Sequence, residues 1–280
     1  LVNGPDEHPL EGVWVPLDPA SAGLARALTA AADLGATGAI LPLARLAPTV
    51  SPGPWPLPLR LDLDGPTLRA SGPAVVERAR ALQADLVGLP VKKEDGPLLK
   101  EGLLAAERQD IEVVLCVSDP AEAPFAAALA DGSEQVVGLS LASFDEEALD
   151  HLSTRDDLGL LSGAPEFACA FRRGAGGMEG FPATLSPAAG SWLLELCRRD
   201  VEAALGLERR LLRFLEAHLR PMVRRLTGPG EDAWPAEVAL HGAVGGWLDG
   251  DLGRFTNALD TETLRGRLLE EIPELGHLLP

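Results

Sequence analysis

Tyrosine is absent from this 280-residue chain, and lysine occurs only at Lys92, Lys93 and Lys100. The first absence excludes chemistry that needs a phenol, and the second confines amine chemistry to one short stretch. Cysteine is scarce as well. Cys116, Cys169 and Cys197 lie far apart with no C-x-x-C pair, and His8, His151, His218, His241 and His277 never approach one another at metal-ligand spacing. A zinc site and a disulfide scaffold are both excluded by that pattern, and no cofactor motif takes their place. The glycine run from Gly174 to Gly180 follows a helical pattern and precedes a strand, the reverse of the order a dinucleotide loop requires. Excess positive charge is missing too: 24 Lys+Arg stand against 42 Asp+Glu, a net charge of −18, which argues against nucleic acid as a partner. No stretch approaches the roughly 18 to 20 continuous apolar residues of a membrane span, so no membrane partner is expected. Leu1 to Leu10 lacks the basic start and apolar run of a signal peptide, which makes the cytoplasm the expected compartment.

What the chain does have is a 46% hydrophobic content arranged in a repeating pattern. Short runs rich in Val, Leu and Ile alternate with longer stretches whose apolar residues recur every three to four positions, the signature of βα units. The runs predict strands at Val13 to Leu17, Ala39 to Leu43, Leu59 to Leu63, Leu86 to Leu89, Glu112 to Val117, Val136 to Leu141, Leu158 to Leu161 and Met178 to Phe181. Eight strands buried on both faces close naturally into a parallel barrel. Helices are predicted between them, for example over Ser21 to Leu34, Ala74 to Gln83, Leu98 to Arg108 and Pro187 to Cys197. One unit breaks the pattern: five prolines between Pro48 and Pro58 remove the amides a helix needs, so the second helix should be short or missing. From Val201 the pattern turns wholly helical, with Pro221 interrupting the first long helix and further helices near Trp234 to Leu248 and Thr261 to Ile272. The expected architecture is α/β: a (β/α)8 TIM barrel over residues 1–200 with a C-terminal helical extension over 201–280.

Several segments add a family resemblance. Val136-Val137-Gly138-Leu139, Leu161-Ser162-Gly163, and Gly174-Ala175-Gly176-Gly177-Met178 followed by Pro187 fall in the order and spacing of the dihydrodipicolinate synthase and N-acetylneuraminate lyase family of pyruvate-handling class I aldolases. Weaker matches precede them: Gly35 to Ile40, Pro90, and Gly12 with Pro19. The chain resembles that family over most of its length. The resemblance implies a barrel fold, a small 2-oxo acid such as pyruvate as ligand, and a homodimer or homotetramer.

At the positions that carry the family's chemistry the sequence departs from it. Ser140 stands where the family has its Schiff-base lysine, Cys116 where it has tyrosine, and Leu43 and Ala44 where it has paired threonines. The next two positions hold Arg45 and Leu46, and Ala164 and Pro165 follow the turn at Gly163 in place of an acidic pair. Neither a serine nor a cysteine can form an imine with pyruvate. Glu179 is the most informative acid, because it sits in an apolar, glycine-rich strand. Pointing inward it would be a pocket carboxylate and general base; pointing outward it would cap a helix or form a salt bridge. Ser140, Cys116, Glu179, Leu43, Ala44 and Gly163 therefore make up the candidate pocket. Ser140 would either hydrogen-bond a ligand or simply fill the vacated slot, and Cys116 reads more readily as core than as nucleophile.

Three functional readings follow. The first is a barrel with a dismantled aldolase site, acting as a small-molecule binder, as a partner of an active homologue, or in unassigned chemistry. The second is a working carbon–carbon or carbon–oxygen lyase on a 2-oxo acid, with Lys92 or Lys93 as relocated imine donor or with no imine at all. The third is a hydrolase on Ser140, which Gly138-Leu139-Ser140-Leu141-Ala142 supports poorly, because the second glycine of a G-x-S-x-G elbow is missing. The tryptophans Trp14, Trp55, Trp192, Trp234 and Trp247 are candidates for an oligomer interface.

Overall fold

The computed structural model describes residues 10–19, 23–46, 53–153, 157–228, 230–248 and 261–280. Eight strands follow one another around a closed barrel: β1 (Gly12–Pro16), β2 (Gly38–Pro42), β3 (Leu59–Asp62), β4 (Leu86–Pro90), β5 (Glu112–Val117), β6 (Val136–Leu141), β7 (Gly159–Ser162) and β8 (Gly177–Glu179). Each pairs in parallel with its sequence neighbours, and β8 closes on β1. The strands match the predicted runs to within two residues at either end.

Side-chain alternation along each strand separates two apolar clusters. Val13, Val15, Leu59, Leu61, Val113 and Leu115 face outward into the large core between barrel and helices. Trp14, Ile40, Leu86, Val114 and Leu161 face inward and, with Leu10, plug the lower barrel. Gly38 on β2 is required by that plug, since a Cβ there would fall 2.4 Å from the Trp14 ring.

The outer layer comprises α1 (Leu24–Asp33), α2 (Gly65–Ser71), α3 (Ala74–Ala81), α4 (Gly96–Gln109), α5 (Ala123–Asp131), α6 (Glu146–Leu152), α7 (Phe167–Phe171) and α8 (Pro187–Arg199). Between β2 and β3 the described residues hold only a 3-10 turn, Leu43–Arg45. Pro48 and Pro52 lie outside the described residues, as does Ser21, the expected start of the first helix. Helix α2 was not anticipated from periodicity. It is nucleated locally: Asp64 accepts the Thr67 amide at 2.7 Å and Pro66 occupies the first turn.

The C-terminal region contains α9 (Val201–Phe214), a π-type turn (Leu215–Leu219), α10 (Arg220–Leu226), α11 (Trp234–Gly245) and α12 (Thr261–Glu271). The π-type turn directly precedes Pro221, so the chain passes the proline with a widened turn rather than a break. Gly246, at φ +77°, ends α11 earlier than the predicted Leu248. Glu208 on α9 is buried and accepts the Ala168 amide at the start of α7. Burial pushes its carboxyl from the ordinary 4.5 up to about 7.

Two of the tryptophans expected at an interface are inside the fold. Trp14 lies in the barrel plug, and Trp247 is buried with its Nε1 donating to the Thr184 carbonyl at 3.1 Å. The reason for Trp14 is its strand parity, opposite to Val13 and Val15. Among the described residues no helix is long and apolar enough to cross a membrane.

Candidate functional site

The floor of the site begins with the sequence Leu59-Arg60-Leu61-Asp62-Leu63. Its leucines face the outer core, so Arg60 and Asp62 must enter the barrel. Arg60 is 1% exposed and makes a two-pronged contact with Asp62, Nε to Oδ1 at 2.7 Å and Nη2 to Oδ2 at 2.9 Å. Its third nitrogen, Nη1, stands 2.6 Å from Glu179 Oε2 on β8, a close ion pair without hydrogen-bond geometry. Burial disfavours the guanidinium, yet Asp62 and Glu179 outweigh it and keep the group charged. Burial also pushes the Asp62 carboxyl up, against the pull of Arg60. Gly88 on β4 makes room for that carboxylate: a Cβ there would stand 1.9 Å from Oδ1.

Ser140 on β6 donates its hydroxyl to Glu179 Oε1. A chain of contacts thus runs from Ser140 through Glu179 and Arg60 to Asp62, crossing the barrel from β6 to β3. Cys116 on β5 borders it, with Sγ 3.8 Å from the Val114 carbonyl. Burial, and then Asp62, drive its thiol well above the ordinary value, so it stays protonated and unreactive at neutral pH.

Above the floor a cavity of about 570 Å³ opens at the C-terminal ends of the strands. Ala44, Gly163 and Pro165 line one side, and Trp234, Glu237 and His241 from α11 form the opposite wall. The C-terminal helices therefore close over the barrel mouth. His241 is 6% exposed, with Nδ1 2.9 Å from Thr184 Oγ1 and its ring edge-on to Phe181 at 5.4 Å. Its Nε2 is buried and has no hydrogen-bond partner among the described residues. Burial, assisted by the positive charge of Arg220, lowers the imidazole to about 4, so it is neutral at pH 7. At the rim Arg45 pairs with Asp232 at 2.6 Å and lies over the Trp234 ring at 5.7 Å.

The structure brings Ser140, Glu179 and Cys116 to one floor, and Ala44 and Gly163 to the cavity above it. Leu43 packs in the outer core and does not line the cavity. Lys92 and Lys93 are exposed on the turn after β4, and no lysine is among the described residues lining the cavity. His151 is exposed on α6, the helix that follows the Ser140 strand. Arg60, Asp62, Thr184 and His241 were missed by sequence reading. The first two carried a signal: charged residues alternating with leucines in a strand whose other face is buried. Among the described residues no group of three or more His, Cys, Asp or Glu side chains is placed to hold a metal ion.

Barrel, polar floor and helical roof together define a (β/α)8 protein with a cavity at its C-terminal mouth. By sequence, no protein-family model and no curated protein matches the chain. Solved structures match its fold. Dihydrodipicolinate synthase from Thermotoga maritima superposes with TM-score 0.66 at 18% identity, over 94% of this chain and 99% of that one. N-acetylneuraminate lyase from Fusobacterium nucleatum gives 0.59 at 11% identity, over 84% and 97%. 2-Keto 3-deoxygluconate aldolase from Picrophilus torridus gives 0.57 at 12%, over 74% and 88%. The chain has the fold that these synthases, lyases and aldolases share.

Proposed function

We propose that this protein binds a small molecule in the barrel mouth and performs no imine chemistry on it. The observation that carries the reading is the floor itself. The Ser140 hydroxyl is bound to Glu179, Glu179 to Arg60 and Arg60 to Asp62, in a cavity with no lysine among its described lining residues. A hydroxyl adds to a carbonyl reversibly but cannot expel water to give an imine. Ser140 also lacks the arrangement of an acyl-transfer nucleophile, since it donates to a carboxylate rather than to an imidazole.

The test is treatment with pyruvate and borohydride, read by intact mass. No reduced adduct is expected; a pyruvyl mass on a peptide containing Lys92 or Lys93 would overturn the reading in favour of a lyase. Ser140→Lys alone is expected to restore no aldolase turnover, because Leu43, Ala44 and Cys116 supply no proton relay. Self-association, as dimer or tetramer, belongs to the same reading. It is supported by the resemblance and removed if light scattering at micromolar concentration gives the monomer mass.

A further inference from the structure

Resting on the reading that the protein self-associates, we infer that copies dock through the outer face of α9 and α10, whose arginines meet the acids of α12 on a second copy. The patch reverses the sign of the whole molecule. Residues 209–225 hold six arginines and one glutamate, a local charge of +5, so the remainder of the chain carries −23 against −18 overall. Arg209, Arg213, Arg224 and Arg225 are exposed, while Leu211, Phe214, Leu215, Leu219 and Val223 in the same segment are buried. The neighbouring charges are spent within the fold: Arg210 pairs with Glu274, Arg220 with Glu216, and His218 contacts Glu271. The four exposed guanidiniums have no ion pair among the described residues, although acids outnumber bases 42 to 24 in the chain. Such a strip attracts a negative partner. Leu212, Met222 and Leu226 stay partly exposed beside it, and arginine and methionine are enriched where proteins meet.

The chain itself supplies the complement. Helix α12 packs on α9, tied to it by Arg210 through Glu274 and the Glu271 carbonyl. On α12, Glu262 and Glu270 are exposed and have no ion pair among the described residues. Uncommitted arginines on one helix and uncommitted acids on its neighbour are self-complementary under a two-fold axis: each copy's arginines face the other's acids, twice in one dimer. Two chains of −18 repel one another in general. At about 0.15 M salt that repulsion is screened beyond roughly 8 Å, whereas contacts across the patch fall within that range.

Analytical ultracentrifugation of the full chain at micromolar concentration and about 0.15 M salt tests this by charge reversal. The parent is expected to sediment as a dimer or tetramer. Arg209→Glu, Arg213→Glu and Arg224→Glu together are expected to weaken the assembly at least about tenfold, and so are Glu262→Lys and Glu270→Lys together. An equimolar mixture of the two variants should reassemble, because both contacts of the dimer then pair opposite signs again; reassembly also shows that both variants are folded. Arg80→Glu, Lys100→Glu and Arg108→Glu together, exposed on α3 and α4, change the net charge as much as the strip variant and should leave the assembly intact. An assembly unchanged in the strip variant, equal losses in the strip and control variants, or a mixture that does not reassemble would each overturn the docking surface and leave self-association standing. A monomeric parent removes both, and the non-imine reading is decided separately by the borohydride test.

Discussion

Replacing Arg60 with methionine is expected to cost about 3–5 kcal/mol of stability at pH 8, the range for leaving a buried charge without its partner. For a domain of this size that corresponds to a fall in melting temperature on the order of 10 °C. The reason is the position of one guanidinium between two carboxylates. Arg60 is 1% exposed and contacts Asp62 through two nitrogens and Glu179 through the third. Methionine fills much of the same volume, so the loss measures charge more than packing. Without the guanidinium the two acids repel each other, and the cheapest escape is protonation.

Acidification should therefore narrow the gap between variant and parent. Burial already raises the Asp62 carboxyl, and removing Arg60 removes the main influence lowering it. A group whose folded pKa is raised contributes stability at low pH that is lost as pH increases, so the variant should be nearest the parent in acid and farthest from it in alkali. The combined change Arg60→Met, Asp62→Leu, Glu179→Met should recover most of the loss, since whole buried ion clusters can often be exchanged for apolar groups at little cost. Thermal unfolding of the single and triple variants at pH 5 and pH 8 checks both statements. A triple variant as unstable as the single one would show that shape, not unpaired charge, governs this floor.

The barrel was legible because its strands are short Leu- and Val-rich runs separated by helical periods, a pattern that local sequence carries in full. Helix α2 was not, because Asp64-Gly65-Pro66 looks like a turn until Asp64 is recognised as a cap for the Thr67 amide. The site was half legible. Ser140 and Glu179 stood out as polar residues in apolar strands, and the structure joins them. Asp62 and Arg60 show the same alternation, yet their meeting with Glu179 depends on β8 and β3 facing one another across β1 and β2, which spacing along the chain does not encode. The His241 and Thr184 pair lies further still from sequence reading. It joins the segment after β8 to α11, and only the folding of the C-terminal helices over the mouth brings the two together. Trp14 illustrates the opposite case, since its parity against Val13 and Val15 places it inside without any tertiary information.

Two buried groups lead to an expected pH response that only their separate removal exposes. Glu208 titrates near 7 in the fold against an ordinary 4.5, and His241 near 4 against an ordinary 6.5, in each case first through burial. Glu208 binds its proton more tightly when folded, so its contribution is full below about pH 4.5 and is lost as pH rises through 7. His241 holds its proton less tightly when folded, so its contribution is full above about pH 6.5 and is lost as pH falls through 4. Between those limits the folded chain keeps a proton on Glu208 and none on His241, while the unfolded chain does the reverse. The proton counts match and the pair contributes almost no slope. Glu208→Gln keeps an acceptor for the Ala168 amide but removes one side of that balance, leaving stability that rises with pH between about 4 and 6.5. His241→Gln leaves the other side, with stability that falls between about 4.5 and 7. Each tilt should reach about 3 kcal/mol, at 1.36 kcal/mol per pH unit. Chemical denaturation of the parent and both variants across pH 4 to 8 would read it directly, and slopes of the same sign in the two variants, measured relative to the parent, would contradict the assignment of opposite roles.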